Sequence, residues 1–261
     1  GAKKFIKTLV GASEFIRGNK RYCLWISDED LGHALSIIPL NERIEKAKQH
    51  RLKSTRPGTI RQSSVPHKFG EIRQKDNKSF ILIPRHSSEN REYIPIDFLG
   101  KDNIILDSAL AIYDAEIWLM SILSSKMHML WVRTIGGKLK TDYRYSKDII
   151  YNNFPFPEIS KTKKQNLIQM TFKIKEEREK HSEKTLAQLY DPNKMPLGLK
   201  EAHRQNDLAV EECYRQTPFT NDTERLEYLF SLYERMIELE QSENTLFANE
   251  VKKKRKRRVN A

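Results

Sequence analysis

Hydrophobic and polar positions alternate between Lys138 and Ser146, and this is the clearest regular pattern in the chain. Successive side chains of a β-strand point to opposite faces, so the alternation predicts a single strand with one packable and one polar face. The packable face would hold Leu139, Thr141, Tyr143 and Tyr145, and the polar face would hold Lys138, Lys140, Asp142, Arg144 and Ser146.

Short apolar runs bounded by turn residues dominate the first half of the chain. Runs at 80–84, 93–96 and 104–113 are separated by the polar segments HSSEN and GKDN, which predicts a small mixed or antiparallel sheet. Gly18-Asn19 lies between two apolar segments and predicts a hairpin near the start. A charged helix is predicted up to about Lys53, and the Ser-, Pro- and Gly-rich segment 54–77 predicts an exposed loop.

The period changes from two to 3.6 residues at about residue 115. A helix that begins there is predicted to end at Gly136-Gly137, and beyond Pro157 only helical periodicity remains. The predicted fold is therefore α+β over residues 1–157, with a small mixed sheet and helices, followed by an all-α region at 158–242. Residues 243–261 are predicted to be a disordered basic tail.

Charge and composition narrow the function classes. The formal net charge is +12, but seven of these charges lie in the run Lys252–Arg258, which leaves about +5 for the rest of the chain. That charge permits a polyanionic partner without requiring one. The two cysteines and scattered histidines show no disulfide or metal spacing, so no metal site is expected. No apolar run approaches ~18 residues, so we expect no membrane partner and a cytoplasmic location.

The polar face of the predicted strand carries side chains that can read base edges. Lysine and arginine donate to guanine O6 and N7, aspartate accepts from cytosine N4, and a strand fits the major groove. Lys140 and Asp142, two residues apart on one strand, would project ~7 Å apart toward one G·C pair. A solvated strand face would show the same pattern. Five cations could contact DNA phosphates, although cations of a solvated loop would show the same pattern. They are Lys53, Arg56, Arg61, Lys68 and Lys138.

Motifs of catalysis are missing from this sequence. There is no glycine-rich loop after an opening strand for a nucleotide or methyl donor, and no Pro-Asp followed by Glu-x-Lys for a nuclease. The segment NNFPFP lacks the consecutive prolines of amino methyltransferases. We therefore expect no catalytic residue and no cofactor in this chain.

Five segments in a fixed order resemble the C-terminal part of the type IIL, MmeI-like restriction-modification enzymes. They are RYCLWI (21–26), IPRHSSENREYIP (83–95), SSKMHMLWVRTIGGKLKTDYRYS (124–146), YNNFPFP (151–157) and LAQLYDPNKMPLGLKEAH (186–203). Such enzymes fuse a nuclease, an adenine-N6 DNA methyltransferase and a target recognition domain in one chain. The resemblance covers about residues 5–240 and implies a target recognition domain at 1–157 with a helical C-terminal domain after it.

The resemblance also implies a function. It implies that the chain reads a specific sequence of double-stranded DNA in the major groove, while a methyltransferase domain of the same parent chain uses S-adenosylmethionine. Whether the parent also cuts DNA stays open. By motif position, the implied base-reading residues are Arg85, Asp107, Ser108, Lys140, Asp142 and Arg144. The alternative function is that of a basic α+β module that binds RNA or protein.

Overall fold

The computed structural model describes residues 1–75 and 78–259, with side chains up to residue 242. Its backbone divides into two compact units. The first unit comprises Gly1–Pro84, Asp97–Ala115 and Thr185–Ala187, and the second comprises Arg85–Ile96, Glu116–Lys184 and the chain from Gln188 onward.

The elements of the described residues alternate in type in the first half of the chain and are mainly helical afterwards. The strands are β1 (Ile6–Val10), β2 (Tyr22–Leu24), β3 (Phe80–Pro84), β4 (His86–Ser87), β5 (Asp97–Leu99), β6 (Asn103–Ile105), β7 (Ala109–Tyr113), β8 (Gly137–Leu139) and β9 (Asp142–Arg144). The α-helices are α1 (Ala12–Arg17), α2 (Leu31–Leu35), α3 (Ile38–Leu52), α4 (Pro57–Arg61), α5 (Ile117–Leu123), α6 (Lys126–Ile135), α7 (Lys161–Glu179), α8 (Leu186–Leu189), α9 (Leu197–Tyr214) and α10 (Asp222–Val259).

The first unit contains two three-stranded sheets. In the sheet β2-β1-β6, β2 is antiparallel and β6 parallel to β1, whereas β5-β3-β7 is antiparallel throughout. All five residues of β3 are buried, as its unbroken apolar run predicts for a central strand. Val10, Phe80, Leu82 and Ala109 form the core between strands, and the predicted small mixed sheet is confirmed.

Two local predictions in this unit are wrong. The segment before Gly18 is the helix α1, because Glu14 accepts from the Gly11 backbone N–H at 3.1 Å and Gly18, at φ +71°, ends the helix. Gly18 therefore caps a helix and does not form the predicted hairpin turn. Strand β2 pairs instead with β1, which precedes α1. The predicted loop at 54–77 contains α4, because Pro57 supplies a preset φ in its first turn.

The second unit is helical apart from one small sheet, as predicted for the C-terminal region. Helices α5, α6, α7 and α9 pack around fully buried Met120, Trp131, Leu167 and Val210. Helix α10 joins them through Phe230, whose ring centroid lies 5.3 Å from that of Trp131. Burial of these apolar side chains stabilises the helices far more than their intrinsic propensities.

Helix α10 continues through the basic run to Val259, whereas the sequence predicted a disordered tail at 243–261. Lysine and arginine are good helix formers, and extending an existing helix needs no new nucleation. The last two positions of the predicted tail, residues 260 and 261, lie outside the described residues.

Candidate nucleic-acid interface

Residues 137–144 form a β-hairpin, and the prediction of one continuous strand over 138–146 is wrong. Strands β8 and β9 pair antiparallel, with Leu139 opposite Asp142, and the chain reverses at Lys140-Thr141. Lys140 has a φ of +58°, a left-handed conformation that suits a two-residue hairpin turn. Lys140 and Asp142 therefore do not project from one strand as predicted.

The hairpin divides the predicted polar row between two faces. Residues opposite each other in an antiparallel pair share a face, so Lys138 shares one with its partner Tyr143. Asp142 and Arg144 lie on the other face, and both are exposed. They alternate with Tyr143 along β9, so their side chains start ~7 Å apart. The structure thus keeps two of the predicted base readers together and separates Lys138 from them.

Residues of the preceding segment lie against each of the two faces. Strand β4 pairs with β9 and sets His86 opposite Arg144, next to the exposed pair. On the other face, Lys138 Nζ lies 3.6 Å from Glu89 Oε2, and the Tyr143 hydroxyl donates to the Glu89 carbonyl at 3.2 Å. Glu89 therefore covers part of the face with Lys138 and Tyr143, while Asp142 and Arg144 on the other face are exposed.

Tyr145 ties the base of the hairpin to the core of the second unit. Its backbone N–H donates to the Arg85 carbonyl at 2.8 Å, and its hydroxyl lies 2.8 Å from His128 Nε2. Burial lowers the pKa of His128 to about 3 and raises the pKa of Tyr145, so both side chains are neutral at pH 7. The ring of Phe154 meets His128 edge-on at 4.6 Å and closes this contact.

Arg85 follows β3 and belongs to the second unit. Its Nε is buried without a hydrogen-bond partner, and its side chain forms no ion pair among the described residues of that unit. A guanidinium stays charged and carries five donors, so a buried donor without an acceptor is costly. The base-reading role of Arg85 stays a prediction, because its one buried, unpaired donor does not by itself identify a ligand.

Asp107 and Ser108 form the turn between β6 and β7 in the first unit. Asp107 is exposed, whereas the Ser108 hydroxyl accepts from the Ala12 backbone N–H at 3.1 Å. A Cβ added at Gly11 would lie 2.3 Å from the Ser108 Oγ, which shows how closely this turn packs against the start of α1. Ser108 thus has a structural contact, and its base-reading role stays a prediction, as does that of Asp107.

The remaining cations predicted to hold phosphates lie in the first unit. Lys53, Arg56 and Arg61 are exposed and form no ion pair among the residues with described side chains. Lys68 contacts Asp28 directly, and this contact, followed by that of His67, lowers the pKa of Asp28. Lys68 is therefore engaged in an ion pair within the unit, unlike the other three.

Clusters of metal ligands and membrane-spanning helices are absent from the residues that the structure describes. No three His, Cys, Asp or Glu side chains of the described residues cluster closely enough to bind a metal ion. None of the described helices combines the length and apolarity needed to cross a bilayer.

Family models match nearly the whole chain. The model of the MmeI target recognition domain matches residues 1–158, and that of the MmeI C-terminal domain matches residues 159–239. The chain belongs to the MmeI family. The resemblance read from the five motifs is confirmed, and the two matched regions meet within one residue of the boundary placed after Pro157.

Two relatives extend this comparison. The chain is 45% identical over 234 residues to DNA methyltransferase A of Bacillus subtilis (strain 168), which covers 90% of the chain and 26% of that relative. It is also similar to the solved structure of the type IIL restriction-modification enzyme MmeI in complex with DNA. That match has a TM-score of 0.83 and 35% identity, and it covers 91% of the chain and 32% of MmeI. The chain thus spans about a quarter to a third of these relatives.

Sequence reasoning missed His86 and the turn at Lys140. His86 stands in the motif IPRHSSEN, but only the pairing of β4 with β9 brings it beside Arg144. The turn left no signal, because Lys140-Thr141 lacks the glycine, asparagine or aspartate typical of two-residue hairpins.

Proposed function

We propose that this member of the MmeI family reads a specific sequence of double-stranded DNA, and that the β8–β9 hairpin enters the major groove. The observation that carries the proposal is the open face of β9, where Asp142 and Arg144 project side by side. Arginine donates two hydrogen bonds to guanine O6 and N7, and aspartate accepts from cytosine N4. A two-stranded ribbon is narrow enough for the groove, and its tip here is a lysine.

The backbone conformation of Lys140 supports a role at this tip. A left-handed conformation costs a residue with a Cβ roughly 1–2 kcal/mol, and Lys140 is exposed without an ion pair or side-chain hydrogen bond among the described residues to offset this. Strain of this kind concentrates at functional positions. Lys140 therefore remains a base-reading candidate from the turn, although not from the strand face first predicted for it.

The parent enzyme is part of the proposal. We infer that the chain acts with a methyltransferase domain of the same parent chain, which binds S-adenosylmethionine and methylates adenine N6. That organisation is the type IIL one, in which an endonuclease can be present, and the location is cytoplasmic. The names of the two relatives support a methyltransferase and the type IIL organisation, and the chain spans only a small share of their lengths. S-adenosylmethionine, adenine N6 and the cytoplasmic location rest on the family resemblance alone.

Selection from a randomised duplex pool tests the proposal. The 261-residue chain should retain duplexes that share fixed base pairs, as read by sequencing. Asp142→Ala and Arg144→Ala should each relax the requirement at one position, at a cost of about 1–3 kcal/mol in discrimination. Lys138→Ala removes a charge from the opposite face of the same hairpin and should leave every position unchanged.

Three outcomes would count against the proposal. Retained duplexes without a common sequence would show that the chain does not read bases. Preferential retention of RNA from a matched pool would favour the alternative module, because the deep major groove of A-form RNA is closed to side chains. Equal effects of Lys138→Ala and Arg144→Ala would show that the hairpin contributes charge alone.

A further inference from the structure

Positive charge in the first unit is concentrated in one segment. Residues 38–75 contain ten lysines and arginines against three glutamates, a net charge of +7. The run Lys252–Arg258 carries another +7, so the remainder of the chain has a net charge of −2. The basic character of the folded body therefore resides almost entirely in α3, α4 and the residues after them.

The basic residues of α3, together with Lys53 directly after it, are arranged in a row. Arg43, Lys46, His50 and Lys53 are spaced by three, four and three residues, which places them within about 80° of each other around the helix axis. All four are exposed. The buried residues Leu40 and Ile44 lie roughly 100° and 140° from the centre of the row, on the side that packs into the unit. The row thus faces solvent, and Lys53 still has helical backbone angles.

Helix α4 and the turn before it add two exposed cations, Arg56 and Arg61. The chain turns after Lys53, where the Ser54 hydroxyl accepts from the Arg56 backbone N–H at 3.1 Å, and α4 then runs to Arg61. Arg51 holds this segment against α3, because its guanidinium donates to the carbonyls of Gln62 and Val65 at 2.8 and 3.0 Å. A third bond, to the Lys68 carbonyl at 2.6 Å, completes the support.

Internal ion pairs neutralise little of this surface. Among the described residues, the side chains of Arg43, Lys46, Lys53, Arg56 and Arg61 contact no carboxylate within 4.0 Å. Of the acidic residues on α3, Glu45 pairs with Lys48 at 4.0 Å, and Glu42 has no such partner. Five exposed, unpaired cations on α3, α4 and the turn between them favour a polyanionic ligand.

We infer that this basic surface, formed by Arg43, Lys46, Lys53, Arg56 and Arg61, contacts the phosphate backbone of duplex DNA without regard to sequence. The inference rests on the proposed function. Arg43 and Lys53 are ten residues apart, or ~15 Å along the helix, and a duplex presents one phosphate per ~3.4 Å of each strand. One strand therefore offers about four phosphates to the row.

The basic surface and the hairpin are expected to make different contributions to DNA binding. Cations that neutralise phosphates release counterions and supply affinity for any sequence, whereas base-edge contacts supply discrimination. Loss of the basic surface should therefore weaken all complexes alike and change their response to salt.

The test compares binding of the 261-residue chain to its selected duplex and to a random duplex between 50 and 400 mM salt. The basic-surface variant combines R43Q, K46Q, K53Q and R56Q, and leaves the supporting Arg51 in place. Each lost phosphate contact lowers the slope of log K against log salt by ~0.9, so the slope should fall by ~3–4. The ratio of the two affinities should not change.

A matched variant controls for net charge. It removes the same four charges from exposed lysines of the second unit: K161Q, K184Q, K194Q and K200Q. Its slope should change by less than about one, because these residues lie outside the basic surface. E42Q removes the unpaired carboxylate beside Lys46 and should strengthen binding to both duplexes, which tests the inference even if the fourfold variant does not fold.

The outcomes distinguish a failure of this inference from a failure of the proposed function. An equal loss of slope in both fourfold variants, or an unchanged slope in the basic-surface variant, would overturn the inference while leaving base reading intact. A larger loss for duplex RNA than for duplex DNA would overturn it as well. Failure of the unaltered chain to bind any duplex would instead refute the proposed function.

Discussion

Replacing Asp207 by asparagine should remove a pH dependence from the stability of the second unit. Asp207 is only 7% exposed, yet it accepts from the Tyr93 hydroxyl and from the Lys126 backbone N–H, each at 2.7 Å. Burial raises the pKa of Asp207 to about 7, and these two hydrogen bonds only partly oppose that rise. The carboxyl group therefore links protonation to folding near neutral pH.

The direction of this pH dependence follows from which state, folded or unfolded, binds the proton more tightly. In the unfolded chain the carboxyl has an ordinary pKa near 3.8, so between that value and about 7 the folded state holds more protons. The free energy of unfolding therefore falls as the pH rises through this window. A difference of about three pKa units corresponds to about 4 kcal/mol, fully lost above pH 7.

Asparagine keeps an acceptor for Lys126 and offers a donor to the Tyr93 hydroxyl, but it does not ionise. Urea unfolding of both proteins from pH 4 to 8 gives the difference in free energy of unfolding at each pH. As the pH rises, the free energy of unfolding of the variant should increase by several kcal/mol relative to that of the unaltered chain. Glu158→Gln, at an exposed carboxylate, controls for the loss of one negative charge. A pH-independent difference between Asp207→Asn and the unaltered chain would refute the reasoning.

Three further predictions concern the hairpin anchor, the base readers and the basic run. Tyr145→Phe leaves His128 Nε2 buried without its partner and should lower the free energy of unfolding by about 1–3 kcal/mol in urea titrations; a change below 0.5 kcal/mol would contradict this. Arg85→Ala and Asp107→Ala should each relax the requirement at one base pair when duplexes selected by each variant are sequenced, whereas an unchanged requirement would count against a base-reading role. Deleting Lys252–Arg258 should weaken binding to all duplexes and flatten its salt dependence, and an altered sequence preference would instead make this run a base reader.

Periodicity and motif order were enough to predict the larger features of the chain. The five apolar residues of β3 must be buried on both faces, so they form a central strand in any fold that shields them. The 3.6-residue period after Pro157 predicted helices and no strand, and the structure has helices there. The motifs identified the family because several unrelated short segments kept their order.

Tertiary structure alone decided the geometry of the hairpin. Alternation is the same in one long strand and in two short strands, but a two-residue turn inverts which positions share a face. Leu139 therefore stands beside Asp142, and Lys138 is turned away from Arg144. Pairing of β4 with β9 and the buried contact between Tyr145 and His128 fix β9, and its register with β8 leaves Lys140 in the two-residue turn with a left-handed backbone. No local preference of lysine indicates that conformation, because its cause is a set of contacts made by residues distant in sequence.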